Sequence, residues 1–477
     1  MKTQDLIALG LPRSTHRHAF LLIKALAESG AGLATIQTRL EALRNRPEDH
    51  LGDIAAGPLA KALIEARATA FTPRTEAASY RRWGSQIEDG AVRQMEVACE
   101  LPVAARGALM PDAHQGYGLP IGGVLAVRGA VIPYAVGVDI ACRMCLSVLD
   151  LPLPFDGPKA AKKGERLRAA LEGETAFGTG AAFSTPRQHD VLDEDWSANP
   201  VTRRLKDKAR SQLGSSGGGN HFVEFGELIL ADDMPELPAG RYLALLSHSG
   251  SRGPGATVAA HYSKLAAKRH PDLPKEMRHL AWLQLDSEAG AEYWQAMNLM
   301  GRYASANHDR IHHHITERLG AQVLWRVENH HNFAWLEEHD GEQLVVHRKG
   351  ATPAGEGDLG VIPGTMADPA FIVRGKGDES SLRSASHGAG RRMSRTEAHR
   401  RFTWQQTRDR LKEAKVELLS AGLDEAPMAY KAIRQVMAEQ ADLVEVLGEF
   451  HPRLVKMAPA ERRKRRFRKK AKDRGRS

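Results

Sequence analysis

Polar residues that are costly to bury recur inside short apolar or glycine-rich segments of this sequence. The segment VGVDIACRM carries Asp139 and Cys142. The segments GSSGGGNHFVEF, LLSHSGSRG and RVENHHNFAW place His221, His248 and His331 in comparable surroundings. One such histidine is usually a hydrogen-bonded core residue. Because four segments present a His, Asp or Cys in the same setting, we expect them to share a metal site.

Two other patterns are weaker indications of chemistry. The run His312–His314 lies in a predicted amphipathic helix, where consecutive side chains point about 100° apart, so these three residues are predicted to be surface or packing residues. Residues Gly214–Gly218 match GxSxG, the motif of a serine hydrolase. That motif should follow a buried strand and open a helix, whereas here KDKARSQL precedes it and the strand-like HFVEF follows. This order disfavours a hydrolase.

Glycine-rich segments indicate a phosphate-binding function. GSSGGGNH, HSGSRGPG, VIPGTMAD and SHGAGRR would let backbone N–H groups approach an anion, although tight turns would also explain their glycines. None fits GxxxxGK[ST], which excludes a P-loop. In SASHGAGRRMS, the setting of His387 leaves four roles open: a turn residue, part of an anion cradle, a metal ligand or a nucleophile.

The distribution of periodic patterns predicts an α+β protein. Residues 1–75 read as helices, and we interpret them as an accessory N-terminal extension. From residue 76 onward, strand-like runs such as RYLALLSHSG, QLVVHRKGA and AFIVRGKG alternate irregularly with helical patterns. One long helix is predicted after the cap Ser287, and another over residues 394–422. Because strands and helices do not alternate strictly, α+β is favoured over a doubly wound parallel sheet.

The net charge of +9 comes from the C-terminal end of the chain. Residues 461–477 contain eleven Lys or Arg and two acidic residues, and the rest of the chain has equal numbers of both signs. We therefore divide the chain into the helical extension 1–75, a catalytic domain 76–457 and a basic, disordered tail 458–477. Such a tail adds salt-dependent attraction to phosphate backbones, or serves only solubility.

Composition indicates a cytoplasmic protein that does not enter a membrane. No apolar run approaches the 18 residues that would span a bilayer, and the N-terminus lacks the features of a signal peptide. The three cysteines are an odd number, which argues against a disulfide framework and suits a reducing compartment.

Eight motifs in a fixed order give the chain a family resemblance. PDAHQGYGLPIGG, VGVDIAC, GGGNHFVE, HSGSRG, HHN, VIPGTM, SHGAGR and APMAYK resemble the RtcB family of RNA-splicing ligases. The resemblance extends from about Gly90 to Lys456 and implies a core of mixed β-sheets flanked by helices. It also implies the joining of an RNA 3′-phosphate or 2′,3′-cyclic phosphate to a 5′-hydroxyl end, through a histidine–GMP intermediate, in RNA repair or splicing. The implied cofactors are GTP and two Mn²⁺ ions per active site, and an activating protein partner is an open expectation.

The resemblance also assigns roles to residues. His387 corresponds to the guanylylated histidine, and Asp112 and Arg252 correspond to further catalytic positions. The implied manganese ligands, with the thiolate shared between two ions, are Asp139, Cys142, His221, His248 and His331. Ligand softness alone would suggest zinc, so manganese rests on the family. The positions implied to hold the guanylate are His387 itself and Asn220, His221, Phe222, Val223, Glu224, His331, Asn332, Pro363, Gly364, Thr365, Met366, Ala370, Gly388, Ala389, Gly390, Tyr430 and Lys456.

Several positions depart from the family pattern. Ala141 and Arg143 stand where the family has glycines, so we expect a backbone constraint from Ala141 and added charge beside the metals from Arg143. Ala370 replaces a guanine-contacting serine and forfeits a hydrogen bond worth about 0.5–1.5 kcal/mol. These departures keep two alternatives open: a repair ligase specialised for one damaged tRNA or rRNA, and a metal- and RNA-binding protein that has lost catalysis.

Overall fold

The computed structural model describes residues 1–68, 71, 74, 76–155 and 160–460. Among the described helices, none combines the length and the apolar character that crossing a membrane requires. The α-helices are, in chain order, α1 (Thr3–Ala8), α2 (His16–Glu28), α3 (Leu33–Asn45), α4 (Gly57–Ala68), α5 (Asp89–Cys99), α6 (Pro133–Val136), α7 (Ala160–Glu174), α8 (Pro200–Arg203), α9 (Lys206–Gln212), α10 (Arg252–Arg269), α11 (Glu288–Leu319), α12 (Arg395–Arg401), α13 (Trp404–Glu413) and α14 (Ile433–Ala438).

The strands form two large sheets and two short pairs. They are β1 (Tyr80–Arg82), β2 (Ala104–Tyr117), β3 (Leu119–Val127), β4 (Ala130–Val131), β5 (Arg143–Leu149), β6 (Phe222–Leu230), β7 (Gly240–Ser249), β8 (Leu283–Gln284), β9 (Val323–His330), β10 (Asn332–His339), β11 (Glu342–Lys349), β12 (Ala351–Pro353), β13 (Leu359–Ile362), β14 (Ala370–Gly375), β15 (Ser384–Ser386), β16 (Glu417–Ser420) and β17 (Val444–Met457).

Both large sheets are mixed, as the sequence predicts. The first has the order β1-β2-β3-β11-β10, and only its β1–β2 pair is parallel. The second has the order β13-β14-β17-β6-β7-β5-β9, with β16 added in parallel to β17. The short pairs are β12–β15 and β4–β8. Helices pack against these sheets without strict alternation along the chain, so the predicted α+β class is confirmed.

The four N-terminal helices pack around a core of their own. This core includes Leu6, Leu22, Leu40 and Leu59, and its described members all come from the first 63 residues. Burial of these leucines contributes to the stability of the small bundle. The boundary near residue 75 remains a prediction, and the tail from residue 461 lies outside the described residues.

The long helix α11 begins as the sequence predicts, but the second predicted helix is wrong. Ser287 caps α11 by accepting the N–H of Gly290 from 3.1 Å. The stretch 394–422 forms α12, α13 and then β16. Thr403 and Gln406 form a reciprocal capping box that starts α13 as a new helix. Lys415 then takes a left-handed backbone conformation, with φ of +56°, which ends α13 and directs the chain into β16.

One residue connects the two large sheets at the point where the cavity forms. Strand β9 of the second sheet ends at His330, and β10 of the first sheet begins at Asn332. His331 therefore lies where the chain passes from one sheet to the other, and it is buried. The ends of several strands of both sheets face each other around it.

Candidate active site

The sheets enclose a cavity of about 350 Å³, within the usual range for a small-ligand site. Most of the residues that the sequence singles out line this cavity. They are Asp139, Cys142, Asn220, His221, Phe222, Glu224, His248, His331, Asn332, Pro363, Gly364, Thr365, Met366, Ala370, His387, Gly388, Ala389, Gly390 and Tyr430.

His387 is held by a buried carboxylate at one wall of the cavity. It follows β15 directly, and its Nδ1 lies 2.6 Å from Oδ2 of Asp112, a fully buried residue of β2. The same oxygen accepts the backbone N–H of His387 over 3.2 Å. A carboxylate at this distance favours the tautomer with the proton on Nδ1, which leaves the lone pair on Nε2. Nε2 is then free to act as a nucleophile.

Gly390 allows the histidine loop to approach the strand that carries Asp112. Its φ is +71°, and a Cβ at this position would lie 2.1 Å from the carbonyl oxygen of Asp112. An L-residue would therefore be both strained and in collision. The glycine that follows His387 by three positions is required by this close contact between the loop and β2.

Five metal-type side chains converge beside His387. Cys142 Sγ lies 3.1 Å from Nε2 of His248 and 3.3 Å from Nε2 of His221. Nε2 of His248 lies 3.3 Å from Nε2 of His331, and Oδ2 of Asp139 lies 3.0 Å from Nε2 of His221. These distances bring one sulfur, three imidazole nitrogens and one carboxylate into a single group. The ring of His331 also lies 5.0 Å from that of His387, centroid to centroid.

Burial controls the protonation of these groups. It lowers the pKa of His221 and brings the pKa values of His248 and His331 well below the usual value, so the imidazoles stay neutral. Burial alone would raise the pKa of Asp139, but its hydrogen bond with His221 and the charge of Arg252 bring it to about 2. Burial raises the pKa of the Cys142 thiol well above its usual range.

The donor set fits a divalent cation. Within the described residues, Oδ1 of Asp139 and Nδ1 of His331 are buried without a hydrogen-bond partner. Neutral imidazoles and an ionised carboxylate are ligand types that divalent cations bind, and a cation would favour the thiolate form of Cys142. Cys142, His221 and His248 alone already offer three ligand atoms within 4.8 Å of one another. A mixed set of this kind accommodates manganese or zinc.

Arg252 contacts His221 of the metal-type cluster. It begins α10 with a left-handed φ of +52°, and its Nη1 lies 2.9 Å from Nδ1 of His221 and 3.3 Å from Oγ of Ser249. A non-glycine residue in this conformation costs about 1–3 kcal/mol and persists where surrounding contacts impose it. The guanidinium fixes the ring of His221 relative to Asp139.

The polar walls of the cavity come mainly from β6 and from two loops. Phe222 and Glu224 project into the cavity from β6, and burial raises the pKa of Glu224 well above its usual value. Asn332 bridges the walls, because its Oδ1 accepts the N–H of Gly350 over 2.9 Å and its Nδ2 donates to the carbonyl of Asp139 over 3.3 Å. Tyr430 lies opposite and donates to Glu425.

Two residues of the predicted guanylate set point away from the cavity. Val223 packs with Leu171 on the other face of the second sheet. Lys456 pairs with Val223 across β17 and β6, so its side chain shares that face. Its Nζ donates to the carbonyl of Leu171 over 3.1 Å. The structure therefore does not bring Lys456 together with Glu224.

The departures from the family pattern have local consequences. Ala141 is buried with φ of +55°, so an alanine occupies a conformation that suits glycine. Arg143 directly follows Cys142, and its buried guanidinium donates to Glu328 over 3.0 Å and to the carbonyl of Gly301 over 3.1 Å. The charge that the sequence analysis expects beside the metals is therefore paired with a carboxylate.

Other motifs of the sequence have structural roles. His312 is buried, with Nδ1 2.8 Å from Oγ of Ser147 and Nε2 2.8 Å from Oγ of Ser247, whereas His313 is exposed. Cys142 and Cys145 have a CxxC spacing in the sequence, yet Cys145 accepts a hydrogen bond from Nε of Arg326 over 3.1 Å, away from the cavity. The GxSxG segment lies between α9 and β6, which is not the strand-to-helix elbow of a hydrolase.

Several cavity residues were missed by the sequence reasoning. They include His114, Lys349, Asp368, Arg391, Arg395 and Glu425. The arginines belong to SHGAGRRMSR, and their position directly after the histidine loop was the available signal. Arg391 donates to Oη of Tyr430 over 3.1 Å, and Arg395 pairs with Asp424 over 2.7 Å. Both arginines are also paired with Glu425, so the wall next to His387 holds a network of ion pairs around this buried carboxylate.

Comparison with known proteins shows which proteins this sequence resembles. The family model described as "tRNA-splicing ligase RtcB" matches residues 94–457. The RNA-splicing ligase RtcB of Escherichia coli (strain K12) is 34% identical over 400 residues, which cover 78% of this chain and 96% of that protein. The tRNA-splicing ligase RtcB of Thermococcus kodakarensis is 30% identical over 438 residues, covering 76% and 90%. RtcB2 of Escherichia coli (strain ATCC 25922) is 31% identical over 364 residues, covering 74% and 87%.

Proposed function

This chain belongs to the RtcB family of RNA ligases, and we propose that it joins RNA ends bearing a 3′-phosphate or 2′,3′-cyclic phosphate to 5′-hydroxyl ends at the expense of GTP. The observation that carries the proposal is the convergence of the Asp112-bound His387 with five metal-type side chains in one cavity. Manganese, GTP, an activating protein partner and a cytoplasmic location are the finer parts of the proposal.

His387 is proposed to attack the α-phosphorus of GTP. Its Nε2 lone pair forms the N–P bond, and the bond to the bridging oxygen breaks, so that pyrophosphate leaves. The ring gains positive charge in this step, and Asp112 stabilises it by keeping the proton on Nδ1. Because that proton stays in place, the later cleavage of the N–P bond releases a neutral imidazole, which is a good leaving group.

The guanylate then passes to the RNA. An oxygen of the RNA 3′-phosphate attacks the guanylate phosphorus and releases His387. The 5′-hydroxyl of the second RNA next attacks the RNA phosphorus, GMP leaves, and the hydroxyl proton is lost to solvent. A 2′,3′-cyclic phosphate must first be opened by water. Divalent cations held by Asp139, Cys142, His221, His248 and His331 would neutralise phosphoryl oxygens and orient the attacking group.

The remaining wall residues are proposed to hold the guanylate and the RNA. Phe222 offers a ring face to the base, and Glu224 offers a carboxyl group to the N1/N2 edge of guanine. The backbone of Gly388–Gly390 and the loop Pro363–Met366 would contact the phosphate and ribose. Lys456 would reach guanine only if its side chain left the carbonyl of Leu171. The basic tail supplies non-specific attraction to the RNA backbone.

The test is an RNA-joining assay with defined ends. One RNA pair carries a 3′-phosphate and a 5′-hydroxyl, and the matched control pair carries a 3′-hydroxyl and a 5′-phosphate. We expect joining of the first pair only, dependent on GTP and Mn²⁺. Joining of the control pair, or joining without GTP, would contradict the proposal. Binding of metal and RNA without any joining would instead support the catalytically silent alternative.

A specialised repair ligase is the second candidate. It is favoured by the N-terminal helical bundle, which has its own core outside the family match. Such a bundle could recognise one structured RNA. Comparing joining rates on nicked tRNA, nicked rRNA fragments and a generic RNA pair tests this idea. Equal rates on all three would remove the reason for a specialised substrate.

A further inference from the structure

Three aromatic rings from separate segments meet beside the cavity. Tyr117 ends β2, Tyr134 lies in α6, and His279 lies in a short 3-10 helix that follows α10. The ring centroids of Tyr117 and His279 are 5.8 Å apart at 67°, and those of Tyr134 and His279 are 4.4 Å apart at 38°. The Tyr117 side chain is 68% exposed and His279 is also exposed. The group therefore offers aromatic surface to solvent.

The backbone is shaped to bring these rings together. Gly118 has φ of +69°, and a Cβ at this position would lie 2.9 Å from Cβ of His279 and 3.0 Å from its carbonyl oxygen. A side chain on residue 118 would push the segment of His279 away from Tyr117. The contact between the two segments therefore depends on a glycine at position 118, whereas a single exposed tyrosine would require no special backbone.

Lys349 connects the aromatic group to the cavity. Its Nζ lies 5.0 Å from the ring centroid of Tyr134 and donates to the carbonyl oxygen of Tyr117 over 2.6 Å. Lys349 lines the same cavity as His387. Its neighbour Gly350 is close enough that a Cβ there would lie 3.1 Å from Cε1 of His387. Lys349 therefore contacts the aromatic group, and the next residue, Gly350, lies beside the ring of His387.

We propose that Tyr117, Tyr134 and His279 form a stacking platform for an unpaired RNA nucleotide adjacent to the end that is joined. The inference rests on the proposed ligase function. Aromatic faces stack on any base, and the Nζ of Lys349, which holds the Tyr117 backbone in place, also lines the cavity in which the joined end would lie. The residues proposed for guanine, Phe222 and Glu224, belong to β6 of the other sheet, so the platform and the guanine site use different residues.

The test measures base stacking on the full-length protein without GTP, so that no joining occurs. The probe is a single-stranded RNA of ten nucleotides with the fluorescent base 2-aminopurine at the terminal or the sixth position. One arm uses a 3′-phosphate strand and the other a 5′-hydroxyl strand, which identifies the strand on the platform. The variants are Tyr117→Ala, the ring-preserving Tyr117→Phe, and Trp404→Ala as a matched loss of an exposed aromatic residue away from the cavity.

We expect wild-type protein, Tyr117→Phe and Trp404→Ala to quench 2-aminopurine at the terminal position of one strand. Tyr117→Ala should lose this quenching and bind about tenfold more weakly. An RNA that lacks the terminal base should bind wild-type protein about tenfold more weakly than the intact RNA does. Tyr117→Ala should bind the two RNAs with equal affinity. Unchanged quenching in Tyr117→Ala would overturn the platform. So would a Tyr117→Ala substitution that weakens the binding of intact and abasic RNA by the same tenfold factor. A wild-type protein that quenches the probe but never joins RNA would refute the ligase function and leave the platform standing.

Discussion

Oδ2 of Asp112 lies 2.6 Å from Nδ1 of His387 and also accepts the backbone N–H of that residue. One carboxylate oxygen thus fixes both the position and the tautomer of the histidine that we propose as the nucleophile. The other oxygen of Asp112 has no hydrogen-bond partner among the described residues, so His387 provides the hydrogen bonds that this buried carboxylate has there.

Asp112→Asn should slow the guanylylation of His387 by about a hundredfold or more. An amide that donates to Nδ1 would move the ring proton to Nε2 and remove the attacking lone pair, and it would no longer stabilise the cationic ring. Initial rates of label incorporation from GTP measure the effect, with the melting temperature as a control for folding. A variant that folds and labels at the wild-type rate would show that Asp112 does not set the tautomer.

His248→Ala should weaken Mn²⁺ binding by about tenfold or more, because the Nε2 of His248 faces both Cys142 and His331. His313→Ala is the matched control, since His313 is an exposed histidine of α11. Electron paramagnetic resonance of free Mn²⁺ during titration gives both affinities. Equal binding by the two variants would exclude His248 as a ligand.

Ala141→Gly should stabilise the protein. Ala141 is buried with φ of +55°, a conformation that costs an L-residue about 1–2 kcal/mol, and the greater chain entropy of glycine offsets about 0.5–1 kcal/mol of that gain. We expect the free energy of unfolding to rise by about 0.5–1 kcal/mol. Ala304→Gly, in the buried centre of α11, should lower it by about 1 kcal/mol. If urea titrations showed that both substitutions change the free energy of unfolding in the same direction, the strain at Ala141 would be disproved.

Lys349→Met should raise stability most at low pH. Burial lowers the pKa of Lys349 from 10.5 to about 7, so the folded protein disfavours the ammonium form that the unfolded chain retains up to about pH 10. In the wild type, the free-energy cost of burying the ammonium has its full value below about pH 7 and disappears as the pH rises to 10.5. Urea unfolding at pH 6, 8 and 9.5 should show a stabilisation by Lys349→Met that shrinks with pH. A constant difference would contradict the lowered pKa.

The sequence predicted the α+β class and named all five metal-type residues that the structure brings together. The class followed from the irregular alternation of strand-like and helical patterns. The metal-type residues were found because Asp139 and His248 are conspicuous within apolar segments that would otherwise exclude them. The expected helix over 394–422 failed because the Thr403 capping box and the left-handed Lys415 divide that stretch. Local hydrogen bonds at two positions overrode a continuous helical pattern.

The sequence did not predict which face of a strand individual side chains occupy. The pairing of β17 with β6 shifts register between Pro452 and Leu454, and in a strand a shift of one residue exchanges the two faces. Lys456 therefore faces α7, while Met457 lines the cavity. Lys349 was missed for a related reason, since only the pairing of β11 with β3 and β10 brings it beside the histidine loop.

The most direct measurement is the transfer of label from [α-³²P]GTP to the protein in the presence of Mn²⁺, followed by identification of the labelled residue. We expect one acid-labile, alkali-stable phosphoramidate on His387 and no label on His387→Ala, while His313→Ala should be labelled like the wild type. Label that persists in folded His387→Ala, or that maps to another residue of the wild-type chain, would contradict the assignment of His387 as the nucleophile.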